Sequence, residues 1–412
     1  MASGPLSSRQ LGVLRRAPAF RLLFLGAFGS GIGTFLAAIA LTIDVYDRTG
    51  SGSWVSALLI ADFLPTIAIG LLLGPLIDRL PRKLLMVGAD VVRLAAFCAL
   101  PFAGSAAGIV ALAGVVGFAN GFFRPAVYAC LPNLVEDGDL GHANAIFQTV
   151  ENATWALGPL LGGTLVALPG PHLAYWINAV TFLVSALLLG RIPRSALQSE
   201  QPLTRGHWTD LADGIRVVVG SRALMVVLVA WSIVMFGNAS VNVAEVFLAK
   251  ETLSSGAFGF GLLAAAAGVG LTAGSFAAGG QIERRGAGRI YGLGIAGMAL
   301  GTAAVAVSPD VWVAAACVTV SGFGNGAAGV CNAFLVQRGA PDALRGRAFT
   351  LIMSVNYVFL ALAMIAAGPA TDAVGARWVW GAAASLFAVA AAVAAVLARG
   401  IREPQPEGVL GD

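Results

Sequence analysis

The sequence predicts an all-α membrane protein with twelve transmembrane helices in two pseudo-symmetric six-helix bundles. Three observations carry that prediction. The composition is too apolar for a water-soluble core, the apolar runs are long enough to cross a bilayer, and a constant offset relates the two halves of the chain.

Of the 412 residues, 58% are hydrophobic and 11% are charged, whereas a soluble globular chain carries about a quarter charged residues. A mean hydropathy of +0.84 agrees. Runs of ~20 apolar residues cross a ~30 Å hydrocarbon core as helices. The first half contains six such runs: Phe20–Tyr46, Trp54–Ile77, Lys83–Ala103, Ser105–Leu131, His142–Leu168 and Pro171–Ile192. The second half contains another six: Ala223–Leu248, Ser255–Gln281, Ala287–Ser308, Val311–Gln337, Gly346–Val374 and Trp378–Arg399. Barrel strands would alternate with period two, but these runs are continuous and rich in Ala, Leu and Gly, as helices are.

The net charge of +4 follows topology. With the N-terminus inside, 21 of the 25 Lys and Arg residues fall on the inner side. Arg48, Lys250 and Arg377 fall on outer loops, and Arg93 lies within span 3. This is the positive-inside pattern. It predicts a multi-pass protein of the inner (plasma) membrane with both termini cytoplasmic, and it accounts for the basic balance without a nucleic-acid partner. Cys98, Cys130, Cys317 and Cys331 lie in apolar segments without disulfide or metal-ligand spacing, so they read as small packing residues; no metal or other cofactor is expected. The arginines before the first apolar run superficially resemble a signal peptide. That run is too long for a typical h-region, and it reads as an uncleaved first helix.

The longest polar interruption, 193–222, separates one six-span half (1–192) from another (223–412). The halves repeat. "GFANG" (Gly117–Gly121) and "GFGNG" (Gly322–Gly326) lie 205 residues apart, and the same offset takes Gly74 to Gly279, Asp78 to Glu283, Arg79 to Arg284 and Pro81 to Gly286. "GPLL" at Gly158 and "GPAT" at Gly368 are 210 apart, as one small insertion would give. A parallel repeat of six-helix halves is a transporter architecture, with the substrate site between the halves near the midplane.

Between spans 2 and 3 lies "GPLIDRLPRKLL", Gly74 to Leu85. Asp78 falls at the C-terminal end of span 2, the unfavourable pole of that helix for an acid. It therefore needs Arg79, Arg82 or the N-terminus of another helix. Glu283 and Arg284 stand in the same way after span 8. An acid–arginine pair present in both halves reads as a functional latch, while Arg82 and Lys83 read equally well as topology anchors.

This stretch resembles the signature of the major facilitator superfamily between spans 2 and 3. Gly74, Asp78, Arg79, Arg82 and Lys83 match it. Pro81 replaces a glycine and so excludes positive φ, which Gly286 retains in the second copy. The resemblance implies the major facilitator fold, and it implies that Asp78 docks on the N-terminal end of span 11 to close the cytoplasmic side. "ALGPLLGG" (Ala156–Gly163) resembles the superfamily's span-5 antiporter signature through Gly158, Pro159, Gly162 and Gly163. Thr154 and Ala145 replace its upstream glycines. Gly158 and Gly162 form a GxxxG face that allows close approach, and Pro159 favours a bend; close packing alone is the other reading of these residues. The arginine of the superfamily's span-4 signature falls here at Gly117. "FFRPAVYACLPNLVEDGDLGHANA" (Phe122–Ala145) is similar to the 12-helix drug, macrolide and siderophore exporters of the superfamily.

Several acids fall within spans, among them Asp44, Asp62, Asp90, Glu151 and Glu245. A charge at a span centre costs about 2.5–3.5 kcal/mol on insertion scales, so such groups face a cavity, pair with a cation or carry a proton. Asp90 has Arg93 three residues away on the same face and reads as a structural ion pair. Asp44 and Glu245 lie near outer ends, where they are expected to reach water. Asp62 and Glu151 lie ~12 Å and ~14 Å inside their spans at 1.5 Å per residue, with no basic residue nearby in sequence. They are the candidates for proton coupling, hydrogen-bonded packing acids being the alternative.

Gln148, Asn152 and Trp155 flank Glu151 at helical spacing, and Phe236, Asn238 and Asn242 precede Glu245 in span 7. Polar faces do not look at lipid, and sparse polar groups among aromatics suit a mostly apolar ligand. "GLGIAG" (Gly292–Gly297) lies inside span 9 without a preceding strand, so helix packing explains it better than dinucleotide binding. These readings converge on a secondary transporter rather than an enzyme. It is expected to work as a monomer by alternating access, with proton-coupled efflux of an amphiphilic small molecule such as a drug, macrolide or siderophore. Uptake symport and uncoupled facilitation stay open. A membrane enzyme or sensor is the competing class, for which neither a catalytic cluster nor an appended soluble domain is evident.

Overall fold

The computed structural model describes residues 8–72, 80–136, 139–167, 170–197, 215–340 and 344–397. Among them are twelve long helices. The first six are α1 (Pro18–Thr49), α2 (Gly52–Leu72), α3 (Arg82–Ala99), α4 (Ala106–Leu134), α5 (Leu140–Ala167) and α6 (Pro171–Gly190). The others are α7 (Arg222–Phe247), α8 (Gly256–Gly279), α9 (Ala287–Ala306), α10 (Val311–Gly339), α11 (Arg345–Val374) and α12 (Ala376–Leu397). Eleven are long and apolar enough to cross a membrane, and α5 contributes the apolar stretch Leu157–Ala167. Prolines sit inside α2, α4, α5 and α11, which spanning helices tolerate when neighbours satisfy the freed backbone groups.

The 205-residue offset reappears in the helix ends. Ser105 accepts from the backbone N–H of Gly108 at the start of α4, and Asp310, its equivalent, accepts from Trp312 and Val313 at the start of α10. Such caps satisfy amide groups that a helix's first turn leaves unpaired. Gly170 (φ 86°) precedes α6 and its equivalent Gly375 (φ 83°) precedes α12. Both connections use a backbone conformation open to glycine and strained for other residues.

The contacts divide the chain into two compact units, each with its own core. The first is Met1–Thr204 with Val243–Ala265 and Met364–Ala376. The second is Arg205–Asn242, Ala266–Ala363 and Arg377–Asp412. The end of α7, the start of α8 and the end of α11 therefore belong with α1–α6. In the first unit Phe20 and Phe24 pack on Phe147, with ring centroids 6.0 and 6.4 Å apart. In the second, Tyr291, Ile295 and Met298 of α9 join Cys331 of α10 and Phe387 of α12 in a fully buried cluster. The four cysteines are free thiols.

Candidate functional site

Close backbone approach builds the scaffold of the site, and glycine permits it. A Cβ at Gly117 of α4 would strike the Asp62 carbonyl of α2. One at Gly322 of α10 would strike the Ala267 carbonyl of α8, the equivalent contact in the other half. No arginine could stand at Gly117 without parting α2 from α4, which gives a physical reason for the missing span-4 arginine. On α5, a Cβ at Gly158 would lie 2.5 Å from Phe35 Cβ and one at Gly162 2.6 Å from the Leu36 carbonyl, both on α1. Gly163 faces α8 instead: its Cβ would lie 2.7 Å from the Ala257 carbonyl and 2.8 Å from Gly261 Cα. Pro159 is buried, and its carbonyl would lie 2.6 Å from a Cβ at Gly261.

Gly368 of α11 repeats the Gly163 contact on α2, with a Cβ 2.7 Å from the Gly52 carbonyl and 2.5 Å from Ser56 Oγ. Gly52 and Ser56 are the 205-residue equivalents of Ala257 and Gly261. Gly368 therefore corresponds to Gly163, not to Gly158, and no insertion interrupts the repeat here. The shared Gly-Pro dipeptide had suggested the 210-residue pairing.

Of the predicted latch residues, Gly74, Asp78 and Arg79 lie outside the described residues, as does the Glu283 side chain. Arg82 and Lys83 anchor backbone. Arg82 Nη1 donates to the carbonyls of Ala129 (2.8 Å) and Leu197 (3.0 Å), and Lys83 Nζ to those of Gly190 (2.6 Å) and Ile192 (2.8 Å). Cations at the carbonyl end of α6 complement its dipole. Arg284 is exposed in the short helix Ile282–Arg285. Pro81 has φ −60° and Gly286 has φ +82°.

Asp90 and Arg93 form a fully buried ion pair at 2.5 Å. The guanidinium also donates to Asn120 Oδ1 at 3.1 Å and lies 4.0 and 4.5 Å from the ring centroids of Phe123 and Phe182. Asp62 is half-buried, and its carboxyl has no partner among the described residues. The side chains of Gln148, Glu151, Asn152 and Trp155 lie outside the described residues. On α7, Phe236 and Asn238 are half-buried and Asn242 is exposed.

Two expectations are corrected. Asp44 and Glu245 do not reach water; both are buried. Asp44 accepts from Arg48 Nε (2.7 Å) on the last turn of α1 and from the Tyr175 hydroxyl of α6 (2.8 Å). Glu245 has no hydrogen-bond or ion-pair partner among the described residues, and the end of α7 that carries it belongs to the first unit. Arg48 is correspondingly part of a helix, not of an outer loop.

A family model described as Major Facilitator Superfamily matches residues 23–249 and 232–411. The chain belongs to the Major Facilitator Superfamily. Among similar proteins, the multidrug efflux pump Tap of Mycolicibacterium fortuitum is 26% identical over 377 residues, covering 88% of this chain and 91% of that one. The enterobactin exporter EntS of Salmonella typhimurium is 27% identical over 398 residues, covering 93% and 90%. The crystal structure of the nucleoside transporter NupG matches with a TM-score of 0.74 at 14% identity, over 95% of this chain and 100% of that one. This last likeness is one of fold. The chain is thus a multi-pass transporter, not an enzyme, and efflux pumps are among its relatives.

In this superfamily member some polar contacts escaped sequence reasoning. Ser232 of α7 donates to Asn356 Oδ1 of α11 at 3.0 Å, both buried, and nothing in the sequence pairs them. Asp372, at the end of α11, also escaped, although the dipole argument applied to Asp78 applies equally to it and would have found it.

Proposed function

We propose that this protein exports an amphiphilic small molecule across the cell membrane in exchange for protons, by alternating access between the halves 1–192 and 223–412, joined by 193–222. It acts as a monomer with both termini in the cytoplasm. The observation that carries this reading is the glycine seam of the antiporter-like motif. Gly158 and Gly162 fasten α5 to α1 within one half, while Gly163 brings α5 against Gly261 of the other half. A contact of backbone on backbone, without side-chain interlock, suits a surface that must part and close again.

Asp62 and Glu151, with no basic residue nearby in sequence, are the coupling candidates, and Glu245 joins them as a buried acid with no ion-pair partner among the described residues; such acids inside a membrane are suited to carrying protons. A membrane potential supplies ~2.3 kcal/mol per charge per 100 mV to such a cycle. The relatives named as multidrug and enterobactin exporters support the direction and the amphiphilic substrate class. The test is proton movement in proteoliposomes offered a lipophilic cation, a macrolide and a catecholate siderophore in turn. Substrate-dependent proton counterflow is the expected result; movement of substrate and proton in the same direction would replace export with symport.

A further inference from the structure

Four donors at the start of α2 converge on one carboxylate from the far end of the sequence. Asp372 Oδ1 accepts from the backbone N–H of Gly52 at 2.5 Å. Asp372 Oδ2 accepts from the N–H of Ser53 (3.1 Å) and from the hydroxyls of Ser53 (2.8 Å) and Ser51 (3.1 Å). The first turn of α2 has no acid of its own. Asp372 in turn sits in the last turn of α11, the wrong pole of its own helix for a negative charge. Each helix thus supplies what the other's terminus lacks. Beside this contact Ser56 Oγ donates to the Met364 carbonyl at 2.6 Å, and Gly52 and Gly368 meet backbone to backbone.

The equivalent contact in the other half lacks the charge. Gly163 stands where Gly368 stands and Ala257 where Gly52 stands, but the equivalent of Asp372 is Ala167. Packing alone therefore does not require the acid, since the same helix crossing is made without one. Asp372 is an addition to a seam that closes by glycine contact.

We propose that Asp372 is a positioning residue for transport, a clasp that caps α2 and holds the α2–α11 seam closed in one state and must let go in the other. This rests on the alternating-access reading. The test uses the full chain with its four cysteines replaced by alanine and spin labels at Phe102→Cys and Trp378→Cys, both exposed and outside the clasp. Distance distributions are measured by electron–electron double resonance in nanodiscs, so no substrate is needed. Asp372→Ala is expected to move the population about tenfold away from the closed seam, as loss of a helix N-cap does. Asp372→Asn, which keeps an acceptor oxygen, is expected to restore part of it, all at unchanged melting temperature. Superimposable distributions for the parent and Asp372→Ala would overturn the proposal.

A Ser53→Cys/Asp372→Cys pair gives a second readout. Its reduced form lacks the carboxylate and is expected to keep only part of the parent's ethidium efflux, and its oxidation to abolish that remainder; efflux that continues through the intact cross-link would refute the clasp. Failure of the parent to transport any probe would sink the export reading alone, since the distance measurement does not depend on transport.

Discussion

Gly163→Ala, set beside Gly162→Ala, separates a contact that must open from one that must not. The two glycines are neighbours on α5 and both are tightly enclosed, but they face different partners. A methyl at Gly163 would lie 2.7 Å from the Ala257 carbonyl, 0.7 Å short of the 3.4 Å at which ordinary contact begins, and the obstructing atoms are α8 backbone that cannot rotate away. A methyl at Gly162 would lie 2.6 Å from the Leu36 carbonyl of α1, an equally rigid obstacle. Overpacking of this kind costs about 1–3 kcal/mol.

At Gly162 that penalty falls on every state, because α1 and α5 belong to one bundle, so the whole protein loses stability. At Gly163 it falls only on the state in which α5 and α8 touch. The equilibrium is then expected to shift about 5- to 150-fold toward the parted state. Two measurements check this: melting temperature in detergent, and the rate of maleimide labelling at Ala257→Cys in a cysteine-free chain. Gly163→Ala is expected to label about tenfold faster or more with a melting temperature close to the parent's, and to transport poorly. Gly162→Ala is expected to melt earlier without faster labelling. Parallel loss of stability in both variants, with no change in labelling, would refute the idea that the α5–α8 seam opens.

Three further outcomes are expected. Asp62→Asn and Glu151→Gln should each be tested for proton-driven transport in vesicles, and at least one should uncouple it; a full pH-driven response in both would exclude them as carriers. Asp78→Asn should reduce transport while leaving expression and insertion intact, and normal transport would remove its latch role. Arg93→Met and Asp90→Ile singly should each destabilise the fold by about 3–5 kcal/mol, because each strands a buried charge, whereas the double variant should come close to the parent; thermal melts showing additive losses would contradict this.

The fold was legible because lipid imposes a strict demand. A spanning helix must satisfy its own backbone groups along an apolar run, so, where the described residues show them, the ends of the runs and of the helices differ by a few residues only. The repeat was legible because backbone contact requires glycine, and Gly117 and Gly322 announce the same crossing twice. The site was less legible because polar partners in a bundle come from distant spans. Asp44 was expected to reach water, but Tyr175, 131 residues away, takes it into the core. Glu245 was misplaced for another reason: its own helix gives no hint that the end of α7 packs with the first unit.

The asymmetry between the halves separates the features that a helix crossing requires from those it does not. Asp90 and Arg93 correspond to Ile295 and Met298, and Phe182 to Phe387. All four residues at the two paired sites are buried, so the second half fills with hydrocarbon the space that the first fills with an ion pair. Both solutions support the same helix packing, as expected where a well-packed apolar pair can equal or exceed a buried salt bridge. Asp62 corresponds to Ala267 and Asp372 to Ala167. In each case the helix crossing survives in the half that lacks the acid. Glycine and apolar volume therefore suffice for these two helix crossings, and the carboxylates are surplus to them. Loss of Asp62 or Asp372 is therefore expected to alter transport more than folding.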